Sequence, residues 1–175
     1  MLPEDRSRVE RLRAYFRFEV DHLPAGHQAW MAEDGSGAAV WAEPGRWQVS
    51  LLRALRSTPA MARVFGRRLP LAARSQWRAE RLHPEAEPHW YLHYLGVIPE
   101  RQDRGLGGRL MAPVLECCDR ESLPAYLEAS TLRNRALYER NGFALSGEFA
   151  LAGGGPLVGR MWREPRPSGV ARTGR

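Results

Sequence analysis

Apolar positions at helical spacing open the chain: Val9, Leu12, Tyr15, Phe16 and Val20 fall on one face of a helix predicted from Pro3 to about His22. Leu23-Pro24-Ala25-Gly26 ends it. His27 to Glu33 and Gly37 to Glu43 flank Asp34-Gly35-Ser36-Gly37 and read as a hairpin, with Trp30, Met31, Val40 and Trp41 as its apolar weight. Arg46 to about Leu82 reads as two or more helices, broken near Pro59 and Pro70. After a loop punctuated by Pro84 and Pro88, His89 to Ile98 is apolar on both faces, the pattern of a central strand covered on both sides. A helix from Leu106 to about Arg120, bent at Pro113, leads to a strand from Pro124 to Ser130 and a helix from Arg133 to Asn141. Phe143 to Leu151 and Pro156 to Arg163 form a closing hairpin across three glycines. This order predicts one α/β domain of mixed α+β type over residues 1–164, without internal repeats. The tail 165–175 has no apolar period and is expected to be disordered.

Composition narrows the class. The 175 residues suit one domain with a full core, and 43% apolar content is that of a globular chain. The formal charge of +6 is carried by arginine alone, since the chain has no lysine. That pattern follows a GC-rich coding bias and weakens any inference toward nucleic acid. Eight arginines lie between Trp47 and Leu82 against one acid, Glu80; they read as a solvated face or as a patch for an anionic ligand. Aromatic residues for base stacking are sparse there, so a nucleic-acid partner is not favoured. Cys117 and Cys118 are adjacent on a helix, point in different directions and read as small apolar residues in a reducing compartment. There is neither a membrane-spanning run nor a signal-peptide core, and a cytoplasmic protein is expected. No metal is expected: His89 and His93, on one strand, have Cα atoms about 13 Å apart.

The chemistry concentrates in Leu95 to Gly107, where a strand runs into a glycine-rich turn that opens a helix near Leu106. A helix start leaves about four backbone N–H groups unpartnered and favours negative charge. Gly105, Gly107 and Gly108 let a bulky anion approach that backbone, and a diphosphate is the natural guest. No Lys-Ser/Thr follows the glycines, which excludes the nucleoside triphosphate loop, and the spacing is not that of a dinucleotide fingerprint. In a second stretch, Asn134 and Tyr138 lie four apart on one helix face, followed by Gly142-Phe143 with glycine at the C-terminal cap.

Gln102-x-x-Gly105-x-Gly107, preceded by Val97-x-Pro99-Glu100, resembles the coenzyme A diphosphate loop of the GCN5-related N-acetyltransferase (GNAT) family. Asn134-x-x-x-Tyr138 with Gly142-Phe143 resembles that family's next motif, in the same order and spacing. Leu127 to Phe143 is similar to the puromycin N-acetyltransferase-like members; this likeness serves mainly the cofactor and does not identify the acceptor. The resemblance implies a GNAT fold: a central mixed, mostly antiparallel twisted sheet flanked by helices. Its V-shaped cofactor cleft would lie between the strand near 90–98 and the strand near 124–130, within a cofactor-binding core of 90–143. The family's usual first strand and helix, on the order of 35 residues by ordinary element lengths, have no counterpart before the opening helix. That leaves a longer natural start, a partner over the exposed sheet edge (a homodimer among the options), or a trimmed fold.

The resemblance implies acetyl-coenzyme A as donor and a small amine as acceptor: an antibiotic, an aminonucleoside or a metabolite. Backbone from Gln102 through Asp103, Arg104, Gly105, Leu106, Gly107 and Gly108 would take the diphosphate, with Arg101, Arg104 and Arg109 adding charge. Asp103 stands where the family often has glycine. Leu95, Gly96 and Val97 would pair with the pantetheine arm, and an N–H near Val97 would polarise the thioester carbonyl. Asn134 would contact the cofactor. Tyr138 would protonate the departing thiolate, a thiol titrating near ~8.5 and a tyrosine near ~10. The attacking amine needs a base. Glu128 is the first candidate, mid-strand where an unpaired carboxylate is costly to bury, with an arginine partner as the alternative reading. His93 is the second. Two other activities share these motifs: acetylation of a protein amine, and acetyl-coenzyme A sensing without turnover.

Overall fold

The computed structural model describes residues 8–48 and 50–167. Helix prediction over 3–7 and disorder over 168–175 fall outside the described residues. In chain order the elements are α1 (Arg8–Asp21), β1 (His27–Met31), β2 (Gly37–Ala42), α2 (Leu51–Phe65), α3 (Leu69–Leu82), β3 (Trp90–Val97), α4 (Leu106–Glu121), β4 (Ala125–Ala129), α5 (Leu132–Arg140), β5 (Ala144–Ala150) and β6 (Leu157–Arg163), with 3-10 turns at Gly66–Arg68 and Pro99–Arg101. The described residues divide into two compact units, one from within 1–25, 48–85 and 150–156, the other from within 26–47, 86–149 and 157–175.

The first unit holds α1, α2 and α3. Arg11 donates to the Val64 carbonyl (3.4 Å) and Tyr15 meets Phe65 edge-on, joining α1 to α2. The expected apolar stripe of α1 is not buried: Val9, Phe16 and Val20 are exposed. Pro59 does not break a helix; α2 runs through it, and the break comes at Gly66, whose φ of +53° favours glycine. Pro70 sits in the first turn of α3, where its missing N–H leaves no helical bond unmade. Arg56, Arg63, Arg67, Arg68, Arg74, Arg78 and Arg81 are all exposed, which is the solvated-face reading of the arginine run. The Ser75 hydroxyl accepts from Ala152 N–H (3.1 Å) and holds the 150–156 turn to α3.

The second unit holds a six-stranded sheet in the order β1-β2-β3-β4-β6-β5. The β3/β4 pair is parallel, while β1/β2, β2/β3 and β4/β6 are antiparallel, giving a mixed, mostly antiparallel sheet. One sheet face carries Trp41, Trp90, Leu92, Leu127 and Met161 against Leu110, Met111, Val114 and Cys118 of α4, with Tyr138 and Phe143 closing the cluster. Proline at 113 leaves α4 continuous. Asp119 of α4 takes both ends of the Arg163 guanidinium, at 2.8 Å each, and Arg163 Nε donates to the Asn141 carbonyl (3.1 Å). This buried clamp joins β6, α4 and the C-terminal end of α5.

Two irregularities of β3 shape the space beside it. The β2/β3 register shifts between Val40 and Trp41, which face Tyr94 and Leu92, so His93 is the extra residue of a bulge. Trp90 and Leu92 therefore face the core, and beyond the bulge Leu95 and Val97 do. The other face is not the apolar surface expected for a doubly covered strand; it shows Tyr91, His93 and Tyr94, whose rings stack. In addition, β3 pairs with β4 only from Trp90–Ala125 to Leu92–Leu127. From there β3 continues to Val97 beside β2 alone, and the two parallel strands fork.

Candidate functional site

A cavity of about 600 Å³ opens along the forked end of β3. Leu95, Gly96 and Val97 form one wall, the turn from Gln102 to Gly107 the end, and Asn134, Leu137 and Tyr138 of α5 the other wall. Strand geometry fixes the direction of the β3 backbone. Ile98 N–H donates to Ser36 O (2.9 Å) on the β2 side, so the N–H and C=O groups of Leu95 and Val97 point the opposite way, into the fork. Gln102 Nε2 donates to the Val97 carbonyl (3.0 Å) and ties the turn to the strand end.

The turn is built for a left-handed step. Gly105 caps α4 at φ +74° with no side-chain cap on the first helical N–H groups, leaving that end of the helix as a row of donors. Asp103, also left-handed at φ +59°, occupies the conformation that glycine adopts more readily, which is a physical reason for glycine at this place. Its carboxylate turns outward to Arg133 (2.7 Å), an exposed pair. Gly107 is buried: a Cβ there would lie 3.0 Å from Leu137 Cδ2, so the missing side chain lets α4 approach α5.

Two residues of the expected diphosphate turn, Arg104 and Gly108, do not line this cavity. Gly108 faces Asn141, not the cavity, because it sits one residue further round the helix. Arg104 lines a second cavity with Arg101 and Arg109, between the β1–β2 turn and α4; Arg109 donates to the Arg104 carbonyl (3.2 Å), and Arg101, which borders both cavities, pairs with Asp34 (3.4 Å).

On α5, Thr131 caps the helix by accepting from Asn134 N–H (3.1 Å), and Asn134 Nδ2 reaches Ser130 Oγ (3.4 Å). Asn134 and Tyr138 thus line the cavity one above the other. Tyr138 is 7% exposed, and burial pushes its hydroxyl up to about 12, so it stays protonated at any ordinary pH. Cys118 is fully buried with its thiol pushed up to about 12 by desolvation, and it does not line the cavity. It is unsuited to carry an acyl group.

The two base candidates stand on the other sheet face. His93 is the first β3 residue beyond the last β3/β4 pair and Glu128 the first of β4, so both mark the crotch of the fork. Glu128 accepts hydrogen bonds from the hydroxyls of Tyr91 (3.3 Å) and Tyr126 (3.2 Å). The Tyr126 hydroxyl is raised above its ordinary range, first by burial and then by the charge of Glu128. The structure therefore gathers Leu95, Gly96, Val97, Gln102, Asp103, Gly105, Leu106, Gly107, Asn134 and Tyr138 around one cavity and sets His93 and Glu128 behind it. Sequence reasoning missed Arg133 as the partner of Asp103, and Tyr91 as a donor to Glu128. Thr131 was a readable cap signal before Asn134.

Residues 71–143 match the family model described as Acetyltransferase (GNAT) family. An uncharacterized N-acetyltransferase of Schizosaccharomyces pombe is 33% identical over 120 residues, which is 63% of this chain and 48% of that protein; the chain spans about half the length of this curated relative. Among solved structures, a histone acetyltransferase HPA2 and related acetyltransferase from Corynebacterium glutamicum superposes with a TM-score of 0.67 at 24% identity, covering 97% of this chain and 82% of its own. An aminoglycoside 6'-acetyltransferase type Ii superposes with a TM-score of 0.52 at 16% identity, covering 92% and 87%. At these identities the solved structures speak for the fold.

Proposed function

We propose that the chain, whose residues 71–143 match the GNAT family of acetyltransferases, moves an acetyl group from acetyl-coenzyme A to the amine of a small molecule, directly, within a ternary complex. The observation that carries this reading is the uncapped, glycine-started end of α4 facing the slot where β3 leaves β4. Helix N–H groups suit the diphosphate, and the fork-facing Val97 N–H and Leu95 C=O suit the amides of the pantetheine arm, the Val97 C=O being held by Gln102. Of the two fork-facing donors the Leu95 N–H lies nearer the crotch, two residues from His93, and it rather than the Val97 N–H polarises the thioester carbonyl as the tetrahedral intermediate forms.

At the crotch, Glu128 or His93 takes a proton from the acceptor ammonium, directly or through water, and the freed nitrogen attacks the acetyl carbon. The new C–N bond forms as the C–S bond breaks, the electron pair leaves on sulfur, and the nitrogen loses its second proton to water, which returns one to Tyr138 after that residue has protonated the thiolate. Tyr138 donates its proton to that thiolate. With the phenol near 12 and an ordinary thiol near ~8.5, transfer is uphill by roughly 5 kcal/mol for a solvated sulfur. A thiolate in the buried cleft is more basic, which narrows the gap.

Asp103 supports a second reading. A carboxylate in the diphosphate turn opposes a tightly bound donor, and the chain would then sense acetyl-coenzyme A without turning it over. The deciding experiment mixes purified chain, acetyl-coenzyme A and a panel of small amines and follows thiol release together with the mass of the amine. Amine-dependent release with acetylated product is expected. Binding of acetyl-coenzyme A with no product from any amine, and acetylation of added protein instead or of nothing, would overturn the small-amine reading.

A further inference from the structure

We infer that the acceptor is a primary amine carried on an aromatic body, bound on the sheet face behind the cofactor cleft. The inference rests on the acetyl-transfer reading and deepens it.

The face at the crotch of the fork is a row of rings. His93 and Tyr94 stack at 4.3 Å with planes 13° apart, because the bulge sends two successive side chains to the same side. Tyr91 continues the row at 5.3 Å and 30° from His93, and Tyr126 of β4 follows at 5.8 Å and 32° from Tyr91. Near-parallel rings along adjacent strands present a surface that a further flat ring extends by offset stacking, whereas a saturated ring of similar volume gains only area. Tyr91, His93 and Tyr94 are half-buried, the exposure of a lining rather than of a core.

Two charges stand opposite each other on this face, Glu128 of β4 and Arg160 of β6. Glu128 sits in the row, accepts from the Tyr91 and Tyr126 hydroxyls, and faces Arg160 across the β4/β6 pair. An ammonium is drawn to a carboxylate and to the faces of tyrosine rings alike. The site so composed, with Arg160 offsetting Glu128, fits a flat apolar body that carries a single amine. It does not fit a sugar with several ammonium groups, which requires several carboxylates and a dense set of hydrogen-bond partners, because Glu128, the carboxylate that accepts from this row, already faces a guanidinium. The ammonium also has the correct place: Glu128 and His93 are the first residues past the last β3/β4 pair, where the slot that holds the thioester meets this face.

The experiment compares three amines on the purified chain by thiol release: phenethylamine, its saturated analogue cyclohexylethylamine, and kanamycin. Acetyl-coenzyme A binding is measured separately by calorimetry. The expected kcat/KM for phenethylamine exceeds that for the saturated analogue about tenfold, and kanamycin is slower still. In Tyr91→Leu the preference over the saturated analogue collapses toward unity; in Tyr91→Phe, which keeps the ring and loses the hydroxyl, it persists. Both variants are first checked for wild-type acetyl-coenzyme A affinity, which reports that the fold and the cleft are intact. Equal rates for the two cyclic amines, faster turnover of kanamycin, or an aromatic preference unchanged in Tyr91→Leu overturns the inference while leaving acetyl transfer standing. Acetyl-coenzyme A binding without turnover of any of the three also overturns it. Absence of acetyl-coenzyme A binding overturns the underlying reading and this inference together.

Discussion

Replacing Arg163 by Met tests whether the clamp between β6, α4 and α5 holds the cleft in shape. Arg163 is 2% exposed; its guanidinium gives two 2.8 Å contacts to Asp119, and its Nε donates to Asn141 O, the carbonyl that follows α5. Methionine fills most of the volume and removes every donor. Breaking a buried ion pair from one side costs about 3–5 kcal/mol, because the remaining charge stays desolvated. Asp119 is a quarter exposed and keeps the Arg166 N–H (2.7 Å), so the lower end applies, with about 1 kcal/mol more for the Asn141 bond. A loss of roughly 3–4 kcal/mol lowers the melting temperature of a chain this size by about 6–15 °C. The assay is thermal unfolding followed by circular dichroism, paired with calorimetric titration of acetyl-coenzyme A, whose affinity should fall as α5 loosens. Adding Asp119→Leu to the variant should recover part of the loss, since no charge is then left unpaired. The pH dependence has a definite sign. Asp119 is held below its ordinary 3.8 chiefly by the hydrogen bond from Arg163, so the pair's stabilisation is complete above that value and is lost as pH falls through the lowered one. The melting gap between wild type and Asp119→Asn should therefore be constant above about pH 5 and close in acid. A shift under about 2 °C for Arg163→Met at pH 7 would refute the reasoning.

Tyr138→Phe should cut kcat about a hundredfold and leave acetyl-coenzyme A affinity unchanged; because the phenol titrates near 12, wild-type kcat should show no alkaline decline from this group up to about pH 10.5, and a limb near pH 10 that vanishes in the variant would contradict the assignment. Asp103→Gly should relieve a left-handed non-glycine residue, remove a carboxylate from the turn and release Arg133, tightening acetyl-coenzyme A about three- to tenfold by titration; weaker binding would count against the turn as the diphosphate site. Gly107→Ala should melt close to wild type, because the Leu137 methyl 3.0 Å from the new Cβ can shift and alanine favours the helix by about 1 kcal/mol. Gly107→Glu should melt well below it, since its carboxylate is forced between Leu137 and Leu95.

Element order was legible because each segment carries its own period and punctuation. Gly105, Gly142 and the hairpin turn at Asp34-Gly35 mark real left-handed or turn positions, and the predicted strand and helix from Pro124 to Asn141 match β4 and α5 to within a residue or two. Local signals failed where tertiary context decides. Pro59 lies inside a continuous helix, and Val9, Phe16 and Val20 of α1 stay exposed although their spacing is that of a buried face. The bulge at His93 has no signature in single-chain periodicity; it arises from the offset between β2 and β3 and turns an expected apolar face into a row of rings. The Arg163–Asp119 clamp joins residues 44 apart in the chain, a distance over which spacing says nothing. Among the candidate site residues, those whose role is backbone geometry were readable from glycine placement. That Arg104 and Gly108 do not line the cavity was not readable, because the turn's rotation decides which side chains look into it.

The central claim is that the turn opening α4 and the fork of β3 together hold acetyl-coenzyme A. Calorimetric titration of acetyl-coenzyme A into the purified chain, and into Gly105→Val, tests it most directly. Gly105 caps the helix at φ +74°, a conformation that a β-branched residue resists, and a Cβ there meets little else than the tip of Arg109 (3.8 Å). The prediction is one-to-one binding by the wild type and at least tenfold weaker binding by the variant at an unchanged fold. No binding by the wild type, or equal binding by both, would contradict the account.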